Sequence, residues 1–298
     1  MDTKNRFTDN DLFRDVLIID FDGSVSLPFK ADRLDMRNRE EEIRYSASFN
    51  HFKILENEIK EQIKNHKIFF LGSGDFHHVS YLLIKNIIKE PFQVIVFDNH
   101  PDNMVFPFGI HCGSWVYHAS KLPNVLNTAV FGIASADTKG INILQNHYSA
   151  IKTGKVKYYC LSTVPKLTKF LSSYKIEENI SSKKHISETL KKHVQSTNAP
   201  VYLSIDKDVL REKSLKTTWD QGELSENNLL QCIREILPYV FAVDIAGDIS
   251  THDFKSPVKK IMKWLDGDKK VFPSVEQERL RHENFNIKLI SLINGIDL

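Results

Sequence analysis

The 298-residue chain predicts an α/β fold, a three-layer α/β/α sandwich around a mostly parallel central sheet. Three observations predict it. Short runs rich in Val, Ile, Phe and Tyr recur along the chain, and stretches of helical periodicity separate most of them. Several runs are also apolar at consecutive rather than alternate positions. A strand that is apolar throughout is buried on both faces, as in a parallel sheet, and parallel strands need crossovers that lay helices on both sides.

In chain order, strands are expected at 16–19, 68–71, 94–97, 129–133, 156–161, 201–205 and 239–245. Helices are expected at 40–63, 79–88, 185–194 and 224–236, and a last one at 276–293 packs its Leu, Ile and Phe positions on the sheet. The charged run 37–44 reads as the solvated start of a helix. The stretch 170–200 is rich in Ser, Lys, Glu and Asn and has no strand-like run. It reads as a surface insertion at 166–200 within one domain spanning 1–298, because the acidic clusters on either side of it should meet in space.

Composition narrows the function. Lys plus Arg number 40 against 38 Asp plus Glu, a net charge of +2, and no basic stripe interleaved with aromatics points to nucleic acid. The first 15 residues are polar, and no apolar run approaches the ~18 residues of a membrane span, so the expectation is a soluble, cytoplasmic protein without a membrane partner. Cys112, Cys160 and Cys232 lie far apart with no C-x-x-C pair, which argues for a reduced compartment and against a zinc knuckle.

Chemistry concentrates where apolar runs end. Asp98-Asn99-His100-Pro101-Asp102 follows the run at 94–97, and Asp206-Lys207-Asp208 follows that at 201–205. Ligands in open α/β sheets gather at the carboxyl ends of strands. With period-two alternation, Asp98, His100 and Asp102 point to one side. A third turn, Gly72-Ser73-Gly74-Asp75-Phe76-His77-His78, follows the run at 68–71. One histidine of this turn joins the other two clusters to make four carboxylates and two imidazoles. That oxygen-rich set suits Mn²⁺ better than Zn²⁺ and suffices for two metals sharing bridging carboxylates.

These segments resemble the arginase/ureohydrolase family, of arginase-deacetylase-like fold, whose pattern is a G-G-D-H turn, a D-x-H-x-D strand end and an S-x-D-x-D strand end. The chain offers Gly74-Asp75-Phe76-His77, Asp98 to Asp102, and Ser204-Ile205-Asp206-Lys207-Asp208 in that order, over about two thirds of its length. The resemblance implies two Mn²⁺ per chain. One is held by His77, Asp98, Asp102 and Asp206 and the other by Asp98, His100, Asp206 and Asp208, with Asp98 and Asp206 bridging. Phe76 is inserted relative to the family turn, so His77 is the favoured ligand and His78 the alternative. Gly109-Ile110-His111-Cys112-Gly113 is similar to the family's H-G segment, which makes His111 the group that relays a proton to the leaving amine, while Asp102 orients the attacking water.

The chain also departs from the family. Its guanidinium-binding Glu corresponds to Gly247, leaving the acid one place on at Asp248, with Asp244 and Glu223 as further candidates. The loop 103–110 is short and apolar (Met104, Val105, Phe106, Pro107, Phe108), a poor seat for a free α-carboxylate. The pattern is most similar to atypical peptide arginase-like enzymes. It implies an amidinohydrolase acting on arginine within a peptide, or another guanidino substrate, releasing urea and an ornithine product as a post-translational modification. Homo-oligomers occur in the family, but the sequence shows no interface.

Three rival readings use other features. Asp20-Phe21-Asp22-Gly23-Ser24, with Gly247-Asp248 and Asp253, is similar to the nucleophile loop and magnesium motif of haloacid-dehalogenase-type phosphatases. A deacetylase of the same fold would use one zinc and fewer acids. A non-catalytic binding module would fit the displaced acid. His118, His147, His185 and His193 read as surface residues.

Overall fold

The structure, a computed structural model, describes residues 15–87, 90–173, 175–180, 183–265 and 274–296. The polar N-terminal segment before Asp15, the end of the helix expected at 79–88 and three positions of the 166–200 stretch lie outside them. Among the described residues eleven strands are formed: β1 Val16–Asp20, β2 Asp32–Asp35, β3 Ser46–Ala47, β4 Ile68–Gly72, β5 Phe92–Phe97, β6 Ile110–His111, β7 Val125–Ile133, β8 Val156–Cys160, β9 Ile176–Glu177, β10 Val201–Asp206 and β11 Val240–Ala246. Nine make one sheet in the order β2-β1-β4-β11-β10-β5-β7-β8-β9, with every neighbouring pair parallel. β3 and β6 form a separate antiparallel ribbon.

The continuous apolar runs have a direct physical consequence. β1, β4, β5 and β10 are buried at every position, and alternate residues of each enter two different cores. Leu17, Ile19, Phe69, Leu71, Val94 and Val96 face one side. Val16, Ile18, Ile68, Phe70, Ile95 and Phe97 face the other. Helices Phe49–Ile59, Ser80–Ile87 and Trp115–Ser120 cover the first face. Helices Lys183–Thr197, Glu226–Ile236 and Val275–Ile293 cover the second. The result is the expected α/β/α sandwich. In helix Glu226–Ile236, Leu229, Cys232, Ile233 and Ile236 form the buried stripe, and the Ser225 hydroxyl accepts from the Asn228 N–H to cap its start. Each large side chain so buried contributes about 1.5–3 kcal/mol of apolar transfer.

Several expectations need correction. The 166–200 stretch is no surface excursion. It holds helix Lys166–Leu171, the edge strand β9 and helix Lys183–Thr197, whose Ile186, Leu190 and Val194 are fully buried against the sheet. Polar residues mask this segment because an edge strand and the outer face of a helix meet water. The helix expected at 40–63 breaks into Glu40–Ile43 and Phe49–Ile59, since Tyr45 takes a left-handed φ of 74° and the chain then forms β3. The 37–44 run is not wholly solvated, because Arg44 is completely buried. His193 is buried too, held between the Tyr159 hydroxyl and the Asn127 side chain.

Candidate metal centre and active site

The carboxyl ends of four adjacent central strands, β4, β11, β10 and β5, converge beneath a cavity of about 740 Å³. After β4, a tight 3-10 turn at Gly74–Val79 turns His77 inward. Its Nδ1 lies 3.1 Å from an oxygen of Asp98, 3.1 Å from one of Asp102 and 3.5 Å from one of Asp206. His100, two residues beyond Asp98, places its own Nδ1 2.9 Å from Asp208 and 3.4 Å from Asp98. His77, Asp98 and Asp102 make one group with ligand-sized spacing, and Asp98, His100 and Asp208 make a second. Asp98 belongs to both, and Asp206 stands beside His77. His78 points elsewhere, with its Nε2 on the Ile43 carbonyl and its ring against Phe52.

Hydrogen bonds behind the cluster orient the two rings. The Ser204 hydroxyl donates to Asp244 at 2.7 Å, so its oxygen accepts from His77 Nε2 at 2.8 Å; Tyr202 donates to the other Asp244 oxygen at 2.6 Å. Asp244 therefore lies behind His77 and does not reach the cavity. His100 donates its Nε2–H to Asp220 at 2.7 Å. With Nε2 engaged behind, both rings turn Nδ1 toward the acids, the orientation that outer hydrogen bonds impose on metal-bound histidine. N–H donors aim the carboxylates: Asn99 N reaches the second oxygen of Asp208 at 3.1 Å and Asp208 N that of Asp206 at 3.0 Å, while Trp115 Nε1 donates at 2.7 Å to the same Asp102 oxygen that His77 approaches. Asp102 itself sits at a left-handed φ of 45°.

Electrostatics identify the missing charge. Burial, and then the neighbouring Asp98, push the Asp102 carboxyl up to about 8. Burial, and then Asp98 working against His77, raise Asp206 to about 6. Asp208 is driven far upward by burial and by Asp206. Burial would lower His77 and His100, yet the surrounding carboxylates raise both well above the usual imidazole range. Four acids crowded in a buried site cannot all ionise without counter-charge. The one lysine among them, Lys207, is turned away to pair with Asp248 at 2.7 Å. The donor set and its charge deficit fit a pair of divalent cations.

His111 lines the same cavity, held by β6 and by the short turn that follows it. The Gly113 N–H donates to its Nδ1 at 2.9 Å, which leaves Nε2 to carry the ring proton. Burial, and secondarily Lys259, push its pKa down to about 3, so the ring is neutral. Asp248 is placed differently from the sequence expectation. It is buried behind the site, in contact with Lys207, His282 and Asn286, and does not line the cavity. Glu223 is exposed and does not line it either. Asp20 and Asp22, the nucleophile and acid of the phosphatase reading, are engaged by Arg33 and Arg44 at the end of β1, outside the cavity.

Sequence reading overlooked other cavity residues. Trp219 and Asp220 reach the cavity from the loop before helix Glu226–Ile236, Tyr45 from the break before β3, and Asp137 from the turn after β7. None sits in a periodic segment. The sole local cue was a Trp-Asp pair in a polar loop.

Comparison with known proteins settles the family. The Arginase family model matches residues 29–245, well over half of the chain. The chain belongs to the arginase family. Members of this family are metal-dependent hydrolases acting on guanidino or amidino groups. An uncharacterized protein of Thermotoga maritima is 31% identical over 199 residues, covering 66% of this chain and 65% of that protein, so the chain spans just under two thirds of that relative. Among solved structures, the fold is shared with agmatine ureohydrolase of Thermoplasma volcanium (TM-score 0.57, 12% identity, 95% of this chain and 90% of that one). It is also shared with Trypanosoma cruzi formiminoglutamase with Mn²⁺ (TM-score 0.52, 10% identity, 86% of this chain and 75% of that one).

Proposed function

We propose that this arginase-family chain hydrolyses the guanidino group of arginine held within a peptide, giving an ornithine side chain and urea, with two Mn²⁺ as its metals. The observation that carries the reading is the pair of donor groups sharing Asp98 on the floor of one cavity. His77, Asp98, Asp102 and Asp206 would hold one ion, and Asp98, His100, Asp206 and Asp208 the other. Oxygen-rich sets with a single imidazole each favour Mn²⁺ over Zn²⁺, and the manganese named for the trypanosomal neighbour points the same way. Bound there, the ions supply the Lewis acidity that makes water a nucleophile near neutral pH and the positive charge that steadies a tetrahedral carbon.

The chain's own groups do the positioning. Asp102, fixed by Trp115, orients the attacking water. His111, neutral and with its Nδ1 occupied, offers Nε2–H as a hydrogen bond to the departing nitrogen, which receives its proton from the attacking water by way of Asp102, since burial keeps the His111 ring from storing a proton as imidazolium. Support for a peptide comes from the surroundings. Val105 and Phe108 are 49% and 78% exposed beside the cavity residue Met104, and Leu144, 69% exposed, neighbours Gln145. These apolar groups suit a substrate with flanking residues better than a lone amino acid.

A second reading, hydrolysis of a small free guanidino compound, is favoured by Asn142 and Gln145 on the cavity wall, where polar side chains could meet a carboxylate or amine. The test is incubation of Mn²⁺-loaded protein with free arginine, agmatine and arginine-containing peptides, followed by urea detection and mass spectrometry. Loss of one carbodiimide unit per arginine in the peptides alone is expected. Urea from agmatine or arginine alone would install the second reading, and no urea from any of them would remove both.

A further inference from the structure

We propose that the indole of Trp219 is the surface on which the planar cation of the substrate stacks, and that it sets the preference of this cavity for a positively charged group. The inference rests on the reading of the site as a guanidino or amidino hydrolase.

The starting point is a wall that cannot carry an acid. At the end of β11, Gly247 has a left-handed φ of +93°, and a Cβ there would lie 2.6 Å from an Asp206 oxygen and 2.8 Å from the Lys207 backbone nitrogen. No side chain fits, and the next residue, Asp248, is spent on Lys207. A guanidinium or amidinium arriving over the cluster meets no carboxylate from this strand end. Of the acids on the other walls, Asp220 is hydrogen-bonded to His100, and beside it stands an aromatic side chain. A Cβ on Gly74 would touch both an Asp206 oxygen, at 2.9 Å, and Trp219 Cδ1, at 3.0 Å, so the indole and Asp206 close on the same point of the cavity wall.

The ring is held flat from three sides. Tyr45 stacks on it at 5.8 Å with 10° between the planes. Its Nε1–H donates to Asp75 at 3.1 Å, and Asp75 is in turn fixed by the buried Arg44. His100 meets it edge-on at 5.9 Å. The loop carrying it is tied down where the Gly222 N–H donates to the Asp208 carbonyl at 2.7 Å. A rigid, half-buried tryptophan facing a substrate cation is the best of the side-chain partners for cation–π attraction, and a flat delocalised cation also stacks on it by shape.

The test measures binding rather than turnover. Mn²⁺-loaded wild type, Trp219→Phe and Trp219→Leu are titrated calorimetrically with butylguanidinium and with butylurea, its neutral counterpart of nearly the same shape. Expected is a wild-type preference for the cation, a loss of about 3- to 30-fold in butylguanidinium affinity for Trp219→Leu, an intermediate loss for Trp219→Phe, and butylurea affinity changed less than about twofold in either variant. Equal losses for both ligands, or an unchanged cation preference in the variants, overturns the proposal. If Trp219→Leu does not fold, Trp219→Phe decides alone, because it keeps the shape of a ring and weakens the charge attraction. A Trp219-dependent preference in a protein that releases no urea would sink the catalytic reading and leave this one standing. Urea release with a preference indifferent to Trp219 would do the reverse.

Discussion

Removing the metals and then raising the pH should weaken the fold, and the size of the effect follows from the buried acids. Asp102 has an ordinary value of 3.8 and a folded value of about 8, and Asp206 rises from 3.8 to about 6. For a group whose pKa is raised on folding, stability is fully present below the unfolded value and is lost as pH climbs to the folded one. The window is therefore pH 4 to 8 for Asp102 and pH 4 to 6 for Asp206. At about 1.4 kcal/mol per unit, moving from pH 6.5 to pH 8 costs the metal-free protein about 2 kcal/mol through Asp102, Asp206 having already lost its proton. His77 and His100, both raised on folding, push in the same direction, whereas His111, His118 and His193, all lowered on folding by burial, work against the acids below pH 6.5, so the net loss falls between pH 6.5 and 8. For a chain of this size the change lowers Tm by on the order of 5 °C.

Metal reverses the trend. Ligands must be deprotonated to bind, so protons leave as Mn²⁺ enters and affinity grows with pH over the same window. The assay is thermal unfolding of chelator-treated and Mn²⁺-loaded protein at half-unit steps from pH 6.5 to pH 8. The midpoint of the chelated sample should fall with pH, that of the loaded sample should not, and the gap should widen. A chelated Tm that is flat or rising across this range, or Mn²⁺ stabilisation no greater at pH 8 than at pH 6.5, would refute the reasoning.

Other perturbations probe separate parts of the site. Asp98→Ala removes an acid that both ions would share, so metal content by elemental analysis should drop from two ions per chain to fewer than one, with turnover lost; two retained ions would disprove the shared ligand. Gly247→Ala forces a Cβ to 2.6 Å from Asp206 and should cut Mn²⁺ affinity at least about tenfold while far-ultraviolet circular dichroism stays native; unchanged affinity would show that the loop yields. His111→Ala should lower urea release by about 10²-fold and leave metal content intact. Because the wild-type ring is neutral with a pKa of about 3, the wild-type rate profile should have no His111 inflection between pH 5 and 8, and one that vanished in the variant would contradict its assigned state. Arg44→Met should destabilise by about 3–5 kcal/mol in urea unfolding, since Asp22 and Asp75 lose their buried partner; a change under 1 kcal/mol would mean that water reaches them.

The central strands were legible because burial on both faces leaves an unbroken apolar run, as at Ile68–Gly72 and Val201–Asp206. So were the helices with one apolar stripe, such as Glu226–Ile236. Edge elements were not. β2 reads Asp-Arg-Leu-Asp and β9 only Ile-Glu, because an edge strand keeps charge at its rim and is specified by its neighbour more than by its own composition. In the site, His77, Asp98, His100, Asp102, Asp206, Asp208 and His111 were legible because strand ends repeat a spaced pattern, and the structure brings all seven to one cavity. The residues that tune them were hidden. Asp220 orients His100 from 120 positions away, and Ser204 and Asp244 orient His77 through hydrogen bonds that no spacing announces. Arg44 was misjudged because its neighbours in sequence are charged and its neighbours in space, Asp22 and Asp75, lie 22 and 31 residues away.

One feature of the chain ties the apparently misplaced acid to the glycine beside it. Lys207 stands between the two ligands Asp206 and Asp208, where a side chain pointing the same way would bring a cation against the cluster. It points the other way, fully buried, and needs a counter-ion there. Asp248 supplies it: burial would raise this carboxyl, but Lys207 and His282 bring it down to about 2, so the pair stays ionised. For the backbone to deliver Asp248 to that position, the preceding residue must pass within van der Waals contact of Asp206 and the Lys207 nitrogen in a left-handed conformation, and Gly247 alone allows it. Lys207, Gly247 and Asp248 therefore form one device. Once a lysine occupies the middle of the β10 acidic motif, the end of β11 is committed to neutralising it and can no longer reach a substrate, so the selection of a cation must come from another wall of the cavity.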